Sequence, residues 1–203
     1  LLSENLKISS SKHDAIRTAL HGKIQKIDIG RANGTFFSII AGIGLDAEIM
    51  NNTDRNAKNK LGFLAYIIGL LKSLGHSSGF YSVSIDGKPE KTYKAKGVMI
   101  ANMGMLQGGL EAVPKTGSHN GILRIGIMQT SGFITWIYLF INAFKGNINK
   151  SPHYQLLSGK KILIRSLRDK KSFQCDGEIF PATRKLDVEI FPQTLPIMIK
   201  SNN

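Results

Sequence analysis

The sequence predicts a mainly β fold with a few helices, and three features of its 203 residues carry that expectation. Runs rich in Val, Ile, Phe, Tyr and Thr alternate apolar with polar positions, the period of a half-buried strand. Asn33-Gly34, Asp86-Gly87 and Asp176-Gly177 supply the dipeptides that favour the positive φ of tight hairpin turns. Only residues 61–74 and 132–144 are apolar almost all round a helix.

Taken in order, Lys12 to Leu20 reads as a short connecting helix, with Ser11 as cap and Gly22 as stop. Lys23 to Ile29 alternates, Asn33-Gly34 turns, and Thr35 to Ala41 returns, so the pair reads as a hairpin. Its second strand runs into Gly42-Ile43-Gly44-Leu45-Asp46-Ala47, which has the G-x-G-x-x-A outline of a dinucleotide-binding turn. Two features argue against that use: the preceding strand belongs to a hairpin rather than a βαβ unit, and no acid follows about 20 positions on to hold a ribose. A helix is expected from Ile43 to Asn51, with Asp46 in its first turn, and 51–60 is polar and basic, a surface turn.

The apolar helices at 61–74 and 132–144 are both too short to span a bilayer, which takes roughly 20 residues, so core packing is the simpler role. Between them Phe80 to Ile85, Asp86-Gly87 and Lys91 to Asn102 form a second hairpin. A Gly-rich loop covers Met103 to Gly121, and Ile122 to Gln129 is a strand. Lys160–Arg165, Ser172–Cys175, Lys185–Phe191 and Leu195–Lys200 are expected as strands, separated by Pro181, Pro192 and Pro196. There is no internal repeat.

Composition narrows the function classes. A hydrophobic content of 42% supports one packed domain, and 27 Lys and Arg against 14 Asp and Glu give a net charge of +13. That balance favours an anionic partner: nucleotide phosphates, an acidic membrane surface or nucleic acid. No helix-turn-helix, zinc finger or aromatic RNA-binding signature accompanies it, so a nucleic-acid-binding regulator is the weaker reading. The single cysteine, Cys175, excludes an internal disulfide and fits a reducing, cytoplasmic setting. No charged n-region followed by an apolar run opens the chain, so no secretory signal is expected, and a start at Leu1-Leu2-Ser3 without Met suggests a processed product or a domain cut from a longer protein.

The most chemically suggestive stretch is Phe173-Gln174-Cys175-Asp176-Gly177-Glu178-Ile179-Phe180. As an extended segment it would set Gln174, Asp176 and Glu178 on one face, two acids aimed at one point. As a hairpin, Asp176-Gly177 would simply be the turn. The basic run Lys160, Lys161, Arg165, Arg168, Lys170 and Lys171 just before it is either a binding patch or a solvated strand edge.

Four pieces in fixed order carry a resemblance: Gly42-x-Gly44-x-Asp46-Ala47, Ala101-Asn102 followed by Gly108-Gly109, Val113-Pro114-Lys115 to Asn120-Gly121-Ile122-Leu123, and Cys175-Asp176-Gly177-Glu178. Together they resemble the C-terminal domain of the diacylglycerol kinase and sphingosine kinase superfamily, in particular the soluble bacterial lipid kinases. The resemblance implies a two-layer β-sandwich of antiparallel strands, as in lipid kinases and NAD kinases. It implies residues 1–22 as a connector from a nucleotide-binding domain and 23–203 as the lipid-substrate domain. The nucleotide signature Gly-Gly-Asp-Gly-Thr is absent, since the only Gly-Gly is Gly108-Gly109, followed by Leu110.

By the same resemblance, Asp176 is the general base on a lipid hydroxyl, and Glu178 helps hold Mg²⁺ and phosphates. Asp46 lies at the lipid head group, with Gly44 and Asn102 beside the substrate. ATP and Mg²⁺ would be bound mainly by the N-terminal domain, so the whole protein is expected to be a lipid kinase, peripheral at anionic membranes and open to homodimer formation. One departure is His119-Asn120-Gly121-Ile122-Leu123-Arg124, where relatives carry acids around a structural Mg²⁺. Asn120 is neutral and Arg124 repels a cation, which keeps a catalytically inactive lipid-binding or dimerisation module as the alternative. A dinucleotide-dependent oxidoreductase built on Gly42–Ala47 is a third reading.

Overall fold

The structure is a computed structural model that describes residues 2–6, 8, 9, 11–44, 78–104, 113, 114, 116, 117, 119–129, 135, 138, 141, 142, 147, 148 and 151–200. The expected polar turn at 51–60, the apolar helix at 61–74 and Asp46 lie outside the described residues. So do Gly108 and Gly109.

Helix α1 (Leu2–Asn5) precedes α2 (Lys12–His21), the connector helix expected at 12–20. None of the α2 residues is buried, and Ser11 sits at its N-cap without a side-chain cap bond. The strands that follow are β1 (Lys23–Ala32), β2 (Thr35–Phe37), β3 (Ile40–Gly44), β4 (Gly79–Ile85), β5 (Lys91–Ala95) and β6 (Gly97–Ala101). They continue as β7 (Leu123–Met128), β8 (Tyr154–Gly159), β9 (Lys161–Ser166), β10 (Lys171–Cys175), β11 (Glu178–Thr183) and β12 (Lys185–Ile199). One sheet has the order β2-β1-β12-β9-β4-β5 and the other β11-β10-β3-β6-β7-β8, with antiparallel pairing throughout.

The two sheets pack over one apolar layer that includes Phe37, Ala41, Ile43, Tyr81, Val98, Ile100, Ile125, Ile164, Leu186 and Val188. The outer sheets differ in patterning. In β9 and in the first six residues of β12 burial alternates along the strand, leaving one face to solvent. In β3 and β6 every residue is buried. Alternate residues there, Ile40, Met99 and Ala101, turn to a second cluster with Ile27, Ile39, Met103, Val113, Met128, Ile148 and Tyr154. The fold expected from the resemblance, a two-layer antiparallel sandwich, is therefore the fold observed.

Several element expectations need correction. Thr35–Ala41 is not one strand: β2 and β3 lie in different sheets, and the chain crosses at Ser38-Ile39. Lys91–Asn102 divides in the same way, β5 in one sheet and β6 in the other, with Lys96 between them. Two strands beyond those expected, β8 and β11, form the edges of one sheet. Pro181 does not break a strand, because β11 is an edge, where a missing backbone N–H costs no ladder bond. Lys185–Phe191 and Leu195–Lys200 are one strand, β12. Its second half pairs only with β1, so Pro192 and Pro196 are tolerated on the open side. Ile43 and Gly44 end a strand rather than begin a helix. At 132–144 the described residues Thr135, Tyr138, Ile141 and Asn142 are helical, with Tyr138 and Ile141 about half exposed rather than in the core. Strand β3 pairs antiparallel with β6 and β10, which removes the βαβ context that a dinucleotide-binding turn requires.

Candidate functional site at the Asp176 hairpin

Strands β10 and β11 are joined by Asp176-Gly177 alone, and Cys175 pairs with Glu178 across the turn. Both central residues have positive φ, 48° for Asp176 and 93° for Gly177, the requirement of a type I′ hairpin that matches the twist of the strands. Gly177 meets it without a Cβ penalty, and its N–H donates to Gln174 Oε1 at 2.8 Å. Phe173 and Phe180 stack behind the turn, ring centroids 5.0 Å apart.

This register corrects the one-face reading of Gln174, Asp176 and Glu178. Directly opposed residues share a face, so Glu178 lies on the Cys175 side and Asp176 sits at the tip between the strands. Glu178 is exposed, whereas Cys175 is buried and forms no disulfide.

The Asp176 carboxylate reaches the chain where it crosses between sheets. Oδ1 accepts the backbone N–H of Ile39 and of Ile40, both at 2.9 Å. Oδ2 accepts the Ser38 N–H at 2.7 Å and the Ser38 hydroxyl at 2.8 Å. The Asp176 N–H donates in turn to Ile40 O at 2.8 Å. A carboxylate has about four lone-pair sites, and here all four are used. The N–H groups that a crossing strand leaves without ladder partners are satisfied by one distant side chain.

Asn102 stands behind this contact. It is fully buried, and its Nδ2 donates to Ser38 O at 2.9 Å and to Asp28 O at 2.8 Å, while Oδ1 is buried without a hydrogen-bond partner among the described residues. Its N–H and that of Met103 both donate to Ile39 O. Asn102 therefore joins Asp176 through Ser38, as a support for the crossing. Gly44 has φ 88°, and a Cβ there would collide with the Tyr81 hydroxyl, so close packing already accounts for the glycine. Asp46 lies outside the described residues.

Sequence reasoning missed Asp28. It sits at a register shift in β1, is fully buried, and accepts Gly121 N–H at 2.7 Å and Gln193 N–H at 2.8 Å. The signal available was one acid inside an otherwise alternating strand. Through Gly121 it holds the Asn120 segment, where Asn120 Oδ1 accepts the Ile122 N–H at 3.2 Å. That oxygen is turned to its own backbone and Arg124 follows in the chain, a donor set poor in the anionic oxygens that Mg²⁺ prefers. Among the described residues no helix is long and apolar enough to cross a membrane.

Elsewhere the electrostatics are those of a solvated sheet face. Hydrogen bonds from Ser82 and then Arg165 hold the Glu90 carboxyl below the usual range. The Lys161 ammonium, with Arg31 beside it, does the same for Glu189.

Comparison with known proteins agrees with this architecture. Residues 39–199 match the family model described as the YegS C-terminal NAD kinase beta sandwich-like domain. The chain is 28% identical over 200 residues to a probable lipid kinase YegS-like protein of Shewanella frigidimarina, covering 96% of this chain and 62% of that protein. It is 26% identical over 198 residues to an uncharacterized protein of Synechocystis sp., covering 93% and 44%. A solved Bacillus anthracis protein, provisionally described as a diacylglycerol kinase, superposes with a TM-score of 0.73 at 24% identity, over 97% of this chain and 64% of that one. The chain thus spans less than two thirds of the length of these relatives. With the match running from the sheet crossing at Ile39 to the end of β12, the chain belongs to the family of the YegS C-terminal NAD kinase β-sandwich-like domain.

Proposed function

We propose that this chain is the lipid-substrate half of an ATP-dependent lipid kinase that phosphorylates a hydroxyl of diacylglycerol or a similar lipid. The observation that carries the reading is the Asp176 carboxylate, held at an exposed hairpin tip by Ser38, Ile39 and Ile40. Phosphoryl transfer depends mainly on positioning and charge neutralisation, and a general base must be fixed within hydrogen-bond reach of the attacking hydroxyl. Asp176 takes that proton. Glu178, exposed across the turn, would help hold Mg²⁺ and the phosphates, whose charge the metal would neutralise. Asp46, Gly44 and Asn102 belong to the substrate side, Asn102 through its hold on Ser38.

One carboxylate at Glu178 cannot hold Mg²⁺ alone, so the metal and ATP are bound mainly by a nucleotide-binding domain beyond this chain, to which residues 1–22 connect. Phe36 and Ile179 are exposed apolar residues close in sequence to Ser38 and Glu178, which suits a lipid acceptor. A net charge of +13 suits a peripheral cytoplasmic enzyme on anionic membranes, where each nearby Lys or Arg adds about 1 kcal/mol. Dimer formation through a sheet edge such as β11 fits the exposed ladder groups there.

A second reading is favoured by Asn120 and Arg124: a catalytically inactive lipid-binding module of the same family. Transfer of ³²P from ATP to a panel of neutral lipids by the full-length protein in mixed micelles separates the two. Labelled lipid is expected; lipid binding without labelled product would establish the inactive module. Vesicle binding should weaken with salt and strengthen with anionic lipid, and indifference to both would remove the membrane surface as partner.

A further inference from the structure

The four bonds on Asp176 are not equivalent. Three come from backbone N–H groups of Ser38, Ile39 and Ile40, in a segment locked on its other side by Asn102 and Met103. Those donors move only if the crossing between the sheets moves. The fourth comes from the Ser38 hydroxyl, on Oδ2 at 2.8 Å, and a hydroxyl leaves by rotating about one side-chain bond. One acceptor position on the carboxylate can therefore be vacated cheaply, and it is already shaped around an alcohol oxygen.

We propose that Ser38 is a positioning residue whose hydroxyl occupies, in the empty site, the place of the acceptor alcohol, and turns away when that alcohol binds. This deepens the proposed function and rests on it. The incoming hydroxyl then donates to Asp176 Oδ2 where Ser38 did. Its oxygen forms the new bond to the terminal phosphorus of ATP, the bond to the departing ADP breaks, and its proton passes to Asp176. Ser38 is half-buried, so its displaced hydroxyl has access to water and keeps a partner.

The test uses the full-length protein with ATP and diacylglycerol in mixed micelles. Removing a competing hydroxyl that contributes one net hydrogen bond should lower the KM for diacylglycerol about fivefold in Ser38→Ala, with kcat changed by less than about twofold and the KM for ATP unchanged. Ser38→Thr, which restores the hydroxyl, should return the lipid KM to the wild-type value. Ser38→Cys, a weaker donor of similar size, should fall between, and it serves if Ser38→Ala does not fold. A lipid KM unchanged in both Ser38→Ala and Ser38→Cys overturns the inference, as does a fall in kcat without a change in KM, which marks a purely structural role. Asp176→Asn separates the two levels: if it is inactive while the Ser38 variants leave KM unchanged, only the role of Ser38 fails. If Asp176→Asn turns over normally, or the wild type labels no lipid, the proposed function fails and this inference with it.

Discussion

Two Asp-Gly turns on this molecule use the same local chemistry for different ends. Asp86 and Asp176 both have positive φ, 51° and 48°, and both are followed by a glycine with positive φ. Both carboxylates reach across to backbone N–H groups of a distant segment. Asp86 Oδ1 accepts Lys160 and Lys161 N–H, both at 2.8 Å, where β8 passes to β9 on an exposed surface. Asp176 instead takes four bonds at the crossing from β2 to β3, where Ile39 and Ile40 are buried and Asn102 forms a second layer. The difference teaches that the dipeptide specifies the turn, while the crossing it plugs into decides whether the acid is a solvated latch or the fixed point of a site.

Removing each carboxylate should separate the turns most. Asp176→Ala leaves buried N–H groups unpaired and should cost about 3 kcal/mol, whereas Asp86→Ala exposes its two donors to water and should cost about 1 kcal/mol. Equal losses in urea denaturation would erase the distinction. Next in size, Asn102→Ala should cost about 2 kcal/mol, and a double-mutant cycle should couple it to Asp176→Ala but not to Asp86→Ala. Coupling to neither turn would show that Asn102 is not the second layer. The glycines sharpen the comparison from the other side. Gly177→Ala and Gly87→Ala should each cost about 1 kcal/mol, because the positive φ, 93° and 75°, is a demand of the turn and not of its surroundings. A much larger loss at Gly177 would place part of the difference in the turn itself.

The smallest effect concerns pH. Glu90 and Glu189 are held below the ordinary value of 4.5 by Ser82 and Arg165 and by Lys161 and Arg31. A lowered folded-state pKa gives stability that is complete above the unfolded value and is lost as pH falls through the folded one. Both lie on the solvent face, so Glu90→Gln with Glu189→Gln should flatten the acid unfolding curve only slightly between about pH 5 and pH 3. A large change would mean that these pairs are less screened than their exposure implies.

Strand alternation and the three turn dipeptides were legible because they depend on near neighbours. Partners were not. Thr35–Ala41 is rich in strand formers and holds no Gly or Pro, and what divides it at Ser38 is a carboxylate 138 positions away. At the other crossing the sequence offers only the isolated Gly97 after Lys96, a weak signal inside a long strand pattern. The edge strand β11 was hidden by Pro181, whose cost depends on whether a neighbour lies on that side, a property of the sheet and not of the segment. At the site, Asp176 and Asn102 were legible, but Ser38 and Asp28 were not, since each matters through backbone groups brought to it by the fold.

The most direct measurement compares the two turns in one assay: the rate at which the full-length protein transfers phosphate from ATP to diacylglycerol, in the wild type, Asp176→Asn and Asp86→Asn. Loss of the base should lower kcat for Asp176→Asn by about a thousandfold while the protein remains folded, and Asp86→Asn should turn over as the wild type does. Undiminished turnover in Asp176→Asn, or an equal loss in both, would contradict the account.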